Sequence, residues 1–150
     1  MTYISVRPER FSHDMIMKSG EFVINLTTSA MVKEVDFCGV KSGKDIDKFA
    51  KCGFTPVPAQ KVSAPIIEEC PVSLECRVTE SKLLGSHTMF LAEIVGIDVD
   101  EKFIDSKGKL NLQQCGLAAY AHGEYFALGR KLGDFGYSVR KKKKKKPAKK

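Results

Sequence analysis

The sequence predicts a mainly β protein, a small antiparallel barrel decorated with short helices. Two long segments favour this fold. In 72–84, apolar and polar residues alternate with the two-residue period of a strand that has one face in solvent. Segment 88–100 is apolar on both faces, so it must be covered on both, either at the centre of a sheet or at a subunit interface. Gly85-Ser86-His87 between them is typical of a short hairpin connection.

The N-terminal part of the chain predicts two strands with a helix between them. Strand-forming residues occupy 3–7 and again 22–26. Ser12 is a suitable cap for a helix over 13–19, and Gly20 stands where a helix commonly ends. A helix therefore joins the two strands.

Two more short helices follow in the sequence. Ser29 is expected to cap a helix that runs to Phe37, with Gly39 ending it. Asp45 is expected to cap a third, amphipathic helix that Gly53 ends.

The remaining segments predict irregular chain and turns. Prolines make 54–65 irregular, and 101–114 is a polar excursion with a turn at Lys107-Gly108. Small and aromatic residues fill 118–129. The chain length fits one domain, which we place at 1–139, followed by a lysine-rich tail at 140–150.

The charge distribution argues against a nucleic-acid-reading surface. The chain has a formal net charge of +7, yet residues 140–150 hold nine of its 25 basic residues. Residues 1–139 carry 16 basic against 18 acidic residues, a net charge of −2. The tail is predicted to be disordered, because like charges repel, and to give only weak, salt-sensitive binding to polyanions. No specific nucleic-acid partner is expected.

Cysteine content and hydropathy indicate a cytoplasmic protein without membrane insertion. No apolar run approaches the length of a membrane span, and the N-terminus lacks the pattern of a signal peptide. The five cysteines form no C-x-x-C pair, which favours reduced thiols over a disulfide framework.

Residues 7–12, Arg-Pro-Glu-Arg-Phe-Ser, form the first candidate site. Arg7, Arg10 and Ser12 stand where a strand leads into a helix. The first amides of a helix are unpaired and attract phosphate, and arginine matches phosphate oxygens in pairs. The alternative is that Ser12 only caps the helix while both arginines are solvated.

The glycine-bearing loop 39–49 is the second candidate. It offers Ser42, Lys44 and Lys48 before a helix start. The glycine spacing is not that of a P-loop. The alternative is an ordinary surface loop whose lysines balance its aspartates.

The three histidines do not predict a metal site, because they are far apart and show no metal-binding spacing. His122 differs from the others in its surroundings of small residues, Tyr120, Tyr125 and Phe126. That composition suits contact with a flat ligand, and it equally suits a half-buried structural histidine.

Taken together, these segments resemble the flavin reductase-like, FMN-binding split-barrel family, which includes the flavoredoxins. The resemblance runs from about residue 3 to residue 139. It is carried, in chain order, by ISVRPERFSHDMI (4–16), GEFVINL (20–26), DFCGVKSGKDIDKF (36–49), APIIEECPVSLECRV (64–78), LGSHTMFLAEIV (84–95) and AYAHGEYFALG (119–129).

The resemblance implies a homodimeric antiparallel split barrel that binds FMN near the subunit interface, with NAD(P)H as co-substrate. It places the phosphate at the R-P-x-R-x-S turn, with further contacts to the phosphate and ribityl chain from the S-G-K-D loop, and it places the histidine of the A-H-G segment beside the flavin ring or the nicotinamide. His122 is the implied catalytic residue. The implied cofactor-binding residues are Arg7, Arg10, Ser12, Asn25, Ser42, Lys44, Lys48 and Tyr125.

Members of the family usually have two further strands before the segment that begins here at Tyr3, and those strands carry a typical tryptophan. This sequence contains no tryptophan. The resemblance therefore implies a barrel shortened at its N-terminus, with two alternatives open: Met1 is a misplaced start within a longer gene, or the chain is a truncated paralogue.

The function expected from the resemblance is that of an oxidoreductase, in which NAD(P)H reduces bound flavin and electrons pass to a small-molecule or protein acceptor. Two alternatives stay open. One is a flavoredoxin-like electron carrier that does not itself oxidise NAD(P)H. The other is a structural remnant without flavin.

Overall fold

The computed structural model describes residues 1–140, and its centre is a four-stranded antiparallel sheet. The strands are β1 (Thr2–Val6), β2 (Glu21–Leu26), β5 (Val72–Leu84) and β6 (His87–Val99), in the spatial order β1-β6-β5-β2. The predicted hairpin is confirmed, and its connection is the pair Gly85-Ser86. β6 lies between β1 and β5. Thr88, Phe90 and Ala92 on one of its faces are buried, whereas Met89 and Leu91 on the other face are half-buried.

Helix α1 (Phe11–Ser19) crosses from β1 to β2 and closes one side of the core. Ile16 on this helix is buried with Phe22, Cys76, Phe90 and Ala92 of the sheet. Burial of these side chains supplies the main stabilisation of the sheet and helix, at roughly 25 cal/mol per Å² of apolar surface.

The helix boundaries near Ser12 differ from the prediction. Helix α1 begins at Phe11 rather than at residue 13, and Arg10 is its N-cap residue, in extended conformation. Ser12 is therefore inside the first turn, and its predicted role as a cap is wrong. The predicted helix end at Gly20 is confirmed: its φ is 66°, a conformation that glycine adopts without a steric cost.

The caps of the next two helices also require correction. Ser29 begins a single 3₁₀ turn, Ser29–Met31, which leads into α2 (Val32–Val40), so the helix continues through Gly39 instead of ending there. Helix α3 (Lys48–Cys52) is capped by Asp47, whose Oδ1 accepts from the Ala50 N–H at 3.1 Å, and not by Asp45.

Two small ribbons complete the described structure. The segment 54–65, predicted as irregular throughout, contains β3 (Pro56–Val57), which pairs with β4 (Ile66–Ile67). Near the C-terminus, β7 (Ala118–Ala121) and β8 (Glu124–Ala127) form a hairpin. The predicted turn at Lys107-Gly108 is present, with Gly108 at a φ of 77°.

The prediction of a disordered lysine-rich tail falls on residues 141–150, outside the described residues. Within residues 1–140, no helix is both long enough and apolar enough to cross a membrane.

Candidate functional site

A groove of about 750 Å³ lies where the N-terminus of α1 meets the chain from α2 to α3. We call it the polar groove. It brings together the two phosphate-binding candidates that the sequence analysis treated separately. Its lining residues are Glu9, Arg10, Phe11, Ser12, Met15, Cys38, Gly39, Lys41, Ser42, Gly43, Ile46, Asp47, Lys48 and Phe49.

The N-terminus of α1 is open toward a ligand. Its cap residue, Arg10, makes no side-chain hydrogen bond to the first turn of the helix. The first amides of a helix have no partner within the helix and lie at the positive end of its dipole. Phe11 and Ser12, which carry the first amides of α1, both line the polar groove.

Three cations line the polar groove, and none of them forms an ion pair with a carboxylate of residues 1–140. Lys48 Nζ donates to the Cys38 carbonyl at 2.6 Å, and Arg10 Nη1 makes a long contact of 3.4 Å to the Gly39 carbonyl. Lys41 is exposed. Their charges therefore remain available to an anion.

The two carboxylates at the polar groove are engaged elsewhere. Asp47 caps α3, and Glu9 pairs with Arg7 at 2.7 Å. The pKa of Glu9 is lowered by its own backbone N–H and by the positive charges of Arg7 and Arg10. At neutral pH the polar groove thus holds more positive than negative charge.

A second groove, of about 680 Å³, continues from the polar groove, because both are lined by Ser12, Met15 and Phe49. We call it the apolar groove. It lies between the edge strands β1 and β2. Its other lining residues are Ile4, Val6, Ile16, Ser19, Glu21, Phe22, Val23, Ile24, Asn25, Ser63, Ala64, Pro65 and Ile67.

Two carboxylates, one of them buried, hold the loop that leads into one wall of the apolar groove. Glu75, only 1% exposed, accepts from the backbone N–H groups of Gln60, Lys61 and Val62 at 2.6–3.1 Å. Glu21 accepts from the N–H and the hydroxyl of Ser63. The loop is therefore fixed before any ligand binds.

The structure separates the predicted site residues into two groups. Arg10, Ser12, Ser42 and Lys48 come together in the polar groove. Arg7 instead pairs with Glu9, and Lys44 is exposed and does not line either groove.

Asn25, Tyr125 and His122 lie outside the polar groove. Asn25 lines the apolar groove, where its Oδ1 accepts from the Ile67 N–H and the Ser73 hydroxyl. The Tyr125 hydroxyl donates to Asp36 of α2 at 3.1 Å, and burial followed by that carboxylate raises its pKa.

His122 stands at the exposed tip of the β7–β8 hairpin with a φ of 52°. Within residues 1–140 it lines neither groove. The half-buried structural histidine considered in the sequence analysis is wrong, because the side chain is exposed.

The sequence analysis missed apolar residues that line the polar groove. Phe11 and Met15 lie one helical turn apart and remain 47% and 56% exposed. Their i, i+4 spacing, on a face of α1 different from that of the core residue Ile16, was the available signal. Gly43 was also missed: a Cβ there would lie 3.3 Å from Phe11 Cδ1, so glycine lets this loop approach α1 closely.

Comparisons with known proteins identify the family to which the chain belongs. The flavin reductase like domain matches residues 1–129, so the chain belongs to this family. A protein of Archaeoglobus fulgidus is 35% identical over 108 residues, covering 72% of this chain and 61% of its own length. The chain thus spans less than two thirds of that relative.

Two solved structures share the split-barrel fold. Flavoredoxin of Desulfovibrio vulgaris (Miyazaki F) is 30% identical with a TM-score of 0.84, covering 92% of this chain and 76% of that one. Flavoredoxin from Methanosarcina acetivorans is 28% identical with a TM-score of 0.80, covering 92% and 75%. The predicted fold, an antiparallel split barrel of the flavin reductase type, is confirmed.

Proposed function

We propose that the two adjoining grooves bind FMN, with its phosphate in the polar groove and its ring system toward the apolar groove. The observation that carries this proposal is the convergence of residues 10–12 and 38–48 on one cationic groove that leads into an apolar one. A ligand with a dianionic end and a flat apolar end matches a polar groove that leads into an apolar groove.

The donors of the polar groove suit a phosphate. The Arg10 guanidinium offers paired N–H groups, Lys41 and Lys48 offer point charges, and the α1 amides offer neutral donors. The Ser12 and Ser42 hydroxyls add further hydrogen bonds. Met15 and Phe49, which line both grooves, supply apolar contact where the ligand passes from one to the other.

We propose an oxidoreductase activity in which NAD(P)H reduces the bound flavin and an acceptor receives the electrons. When bound, FMN supplies the hydride and electron chemistry. The protein's own residues position it and exclude water from its apolar end. His122 is proposed to orient the nicotinamide, so His122→Ala should leave FMN affinity within a few-fold while lowering the rate of flavin reduction in stopped-flow by up to about a hundredfold.

An electron carrier that does not oxidise NAD(P)H is the second candidate. It is favoured by the similarity to two flavoredoxins, at 30% and 28% identity. Steady-state oxidation of NADH and NADPH with added FMN separates the two candidates, because only the reductase turns over.

We further propose a homodimer in the cytoplasm. Apolar side chains of the C-terminal segment are more than half exposed, and a second copy of the chain would cover them; they are Leu128, Leu132, Phe135, Tyr137 and Val139. All five cysteines are free thiols, which supports a reducing compartment. The molar mass in solution, measured by light scattering, tests the dimer.

The phosphate assignment is tested by comparing FMN with riboflavin, which lacks the phosphate. Arg10→Ala should weaken FMN about ten- to a hundredfold, because a charge-assisted hydrogen bond contributes roughly 1.5–3 kcal/mol. Riboflavin affinity should change little. Lys18→Ala is the matched control, since it removes an exposed charge from the other end of α1.

Fluorescence titration measures both affinities. Equal losses for FMN and riboflavin in Arg10→Ala, or an equal loss of FMN affinity in Lys18→Ala, would contradict the assignment.

A further inference from the structure

Two cysteines that are distant in sequence lie side by side next to the polar groove. Cys38 is in α2 and Cys52 ends α3, and their Sγ atoms are 3.7 Å apart. Both side chains are half-buried, whereas Cys70, Cys76 and Cys115 are buried. The chain thus separates one accessible thiol pair from three enclosed thiols.

The two cysteines flank the segment that forms one wall of the polar groove. Residues 39–51 lie between the two cysteines and include Lys41, Ser42 and Lys48. Lys48 Nζ also donates to the carbonyl of Cys38 at 2.6 Å. One cation of the polar groove therefore contacts the backbone of one of the two cysteines. A covalent link between the cysteines would restrain this whole segment at both ends.

The two thiols are reached from different sides. Cys38 lines the polar groove, while Cys52 lines a separate surface pocket of about 220 Å³ with Lys33, Glu34, Phe37 and Lys51. Burial, and then the contact with Cys52, raise the pKa of the Cys38 thiol. Because Cys52 opens on a pocket that Lys33 and Lys51 also line, away from the polar groove, we expect it to react first with an anionic small disulfide.

We propose that Cys38 and Cys52 form a reversible disulfide that restrains residues 39–51 and strengthens ligand binding in the polar groove. The Sγ atoms must approach by about 1.7 Å to reach the bond length of about 2.05 Å. Restraining the segment lowers the ordering cost of binding. The effect on the ligand rests on the proposed function, whereas formation of the disulfide does not.

The oxidant is a low-molecular-weight disulfide. The Cys52 thiolate attacks one of its sulfur atoms, the S–S bond breaks, and one small thiolate leaves and takes up a proton. The Cys38 thiolate then attacks the Cys52 sulfur of the mixed disulfide and releases the second small thiol. Two protein thiols are oxidised and one small disulfide is reduced to two thiols.

Oxidised glutathione and the full folded chain provide the test. After treatment, unfolding in denaturant and thiol titration should find three free thiols instead of five, and peptide mapping should link Cys38 to Cys52. Dithiothreitol should restore all five. Five free thiols after treatment, or a link to a different cysteine, would overturn the proposal.

The single variant Cys38→Ser tests whether Cys52 acts as the first nucleophile. In Cys38→Ser, Cys52 should keep glutathione as a stable mixed disulfide, seen as added mass at that residue. No Cys52 adduct in this variant would overturn the assignment of Cys52 as the first nucleophile.

FMN titration tests the effect on the polar groove. The oxidised wild type should bind FMN at least about threefold more tightly than the reduced protein, and Cys52→Ser should show no change with the same treatment. Equal or weaker binding by the oxidised protein would overturn the coupling. No FMN binding in either state would instead contradict the proposed function and leave the disulfide itself supported by the thiol count.

Discussion

In each of two regions of this molecule, several hydrogen-bond donors converge, and the two regions differ in the acceptor that the donors face. At the buried end of β5, three consecutive backbone N–H groups converge on the Glu75 carboxylate. At the polar groove, the α1 amides, Arg10 and Lys48 converge on space that no carboxylate of residues 1–140 fills by ion pairing. The first region is completed by the protein itself, whereas the second is the one that we propose a ligand completes.

The comparison shows how a structural anion site differs from a binding site. Around Glu75 the chain removes all free space: a Cβ at Gly96, the residue opposite Glu75 in β6, would lie 3.1 Å from the carboxylate. The two carboxylates that line the polar groove have other partners, since Asp47 caps α3 and Glu9 binds Arg7. Cations that line a groove without a carboxylate partner are therefore the better indication of function.

The largest expected effect is on the structural region. Glu75→Ala removes a buried carboxylate and leaves the N–H groups of Gln60, Lys61 and Val62 without their acceptor, so it should lower the free energy of unfolding by about 3 kcal/mol. Glu80→Ala, on the exposed end of the same strand, should change it by less than about 0.5 kcal/mol. Urea denaturation measures both, and equal effects would show that Glu75 is not an anchor.

A smaller effect is expected at the polar groove. Lys48→Ala should weaken FMN about tenfold, because it removes one charge from the proposed phosphate site. Lys51→Ala, in the same helix, should leave the affinity unchanged. The comparison between the Glu75 region and the polar groove is sharpened if neither lysine variant alters the effect of Glu75→Ala on the free energy of unfolding.

The smallest effect concerns the acid that accompanies Glu75. Burial raises the pKa of Asp98, and the neighbouring Glu75 raises it further, while its buried Oδ2 has no donor within residues 1–140. Burial also opposes ionisation of Glu75, but the N–H groups of Lys61, Gln60 and Val62 outweigh it and lower that pKa. Glu75 is thus the charged member of the pair.

These two pKa shifts make the free energy of unfolding depend on pH in opposite directions. The contribution of Asp98 to stability is complete below its unfolded pKa and is lost as pH rises through its folded pKa, whereas that of Glu75 is lost as pH falls through its folded pKa. Asp98→Asn should therefore stabilise the protein by about 1 kcal/mol at pH 8 and by less at pH 4.5. Urea midpoints at both pH values measure this. A stabilisation that is the same at both would contradict the charge argument.

The sequence predicted the sheet because its pattern is local and periodic. The alternation in 72–84 and the two apolar faces of 88–100 reflect the central hairpin directly. It did not predict the helix starts at Phe11 and Lys48, because Ser12 and Asp45 are as suitable for capping as the residues that stand there.

The candidate site was predicted only in part, because residue type is visible in the sequence whereas side-chain pairing is not. Arg10, Ser12, Ser42 and Lys48 carry phosphate-binding chemistry that residue type reveals. Which cations are paired depends on side-chain conformation as well as on residue type, so the pairing of Arg7 with Glu9, two positions along the chain, was not predictable. The same holds for the Cys38–Cys52 pair, which adjacent helices bring together.

The most direct test of the contrast between the two regions is an amide NMR titration of the full chain with FMN. We predict the largest shifts at the N–H groups of Phe11 and Ser12 and in the loop 39–44, with the amides of Gln60, Lys61 and Val62 unchanged because Glu75 already occupies them. Shifts that are largest at 60–62, or that spare Phe11 and Ser12, would contradict the assignment of the polar groove as the phosphate site.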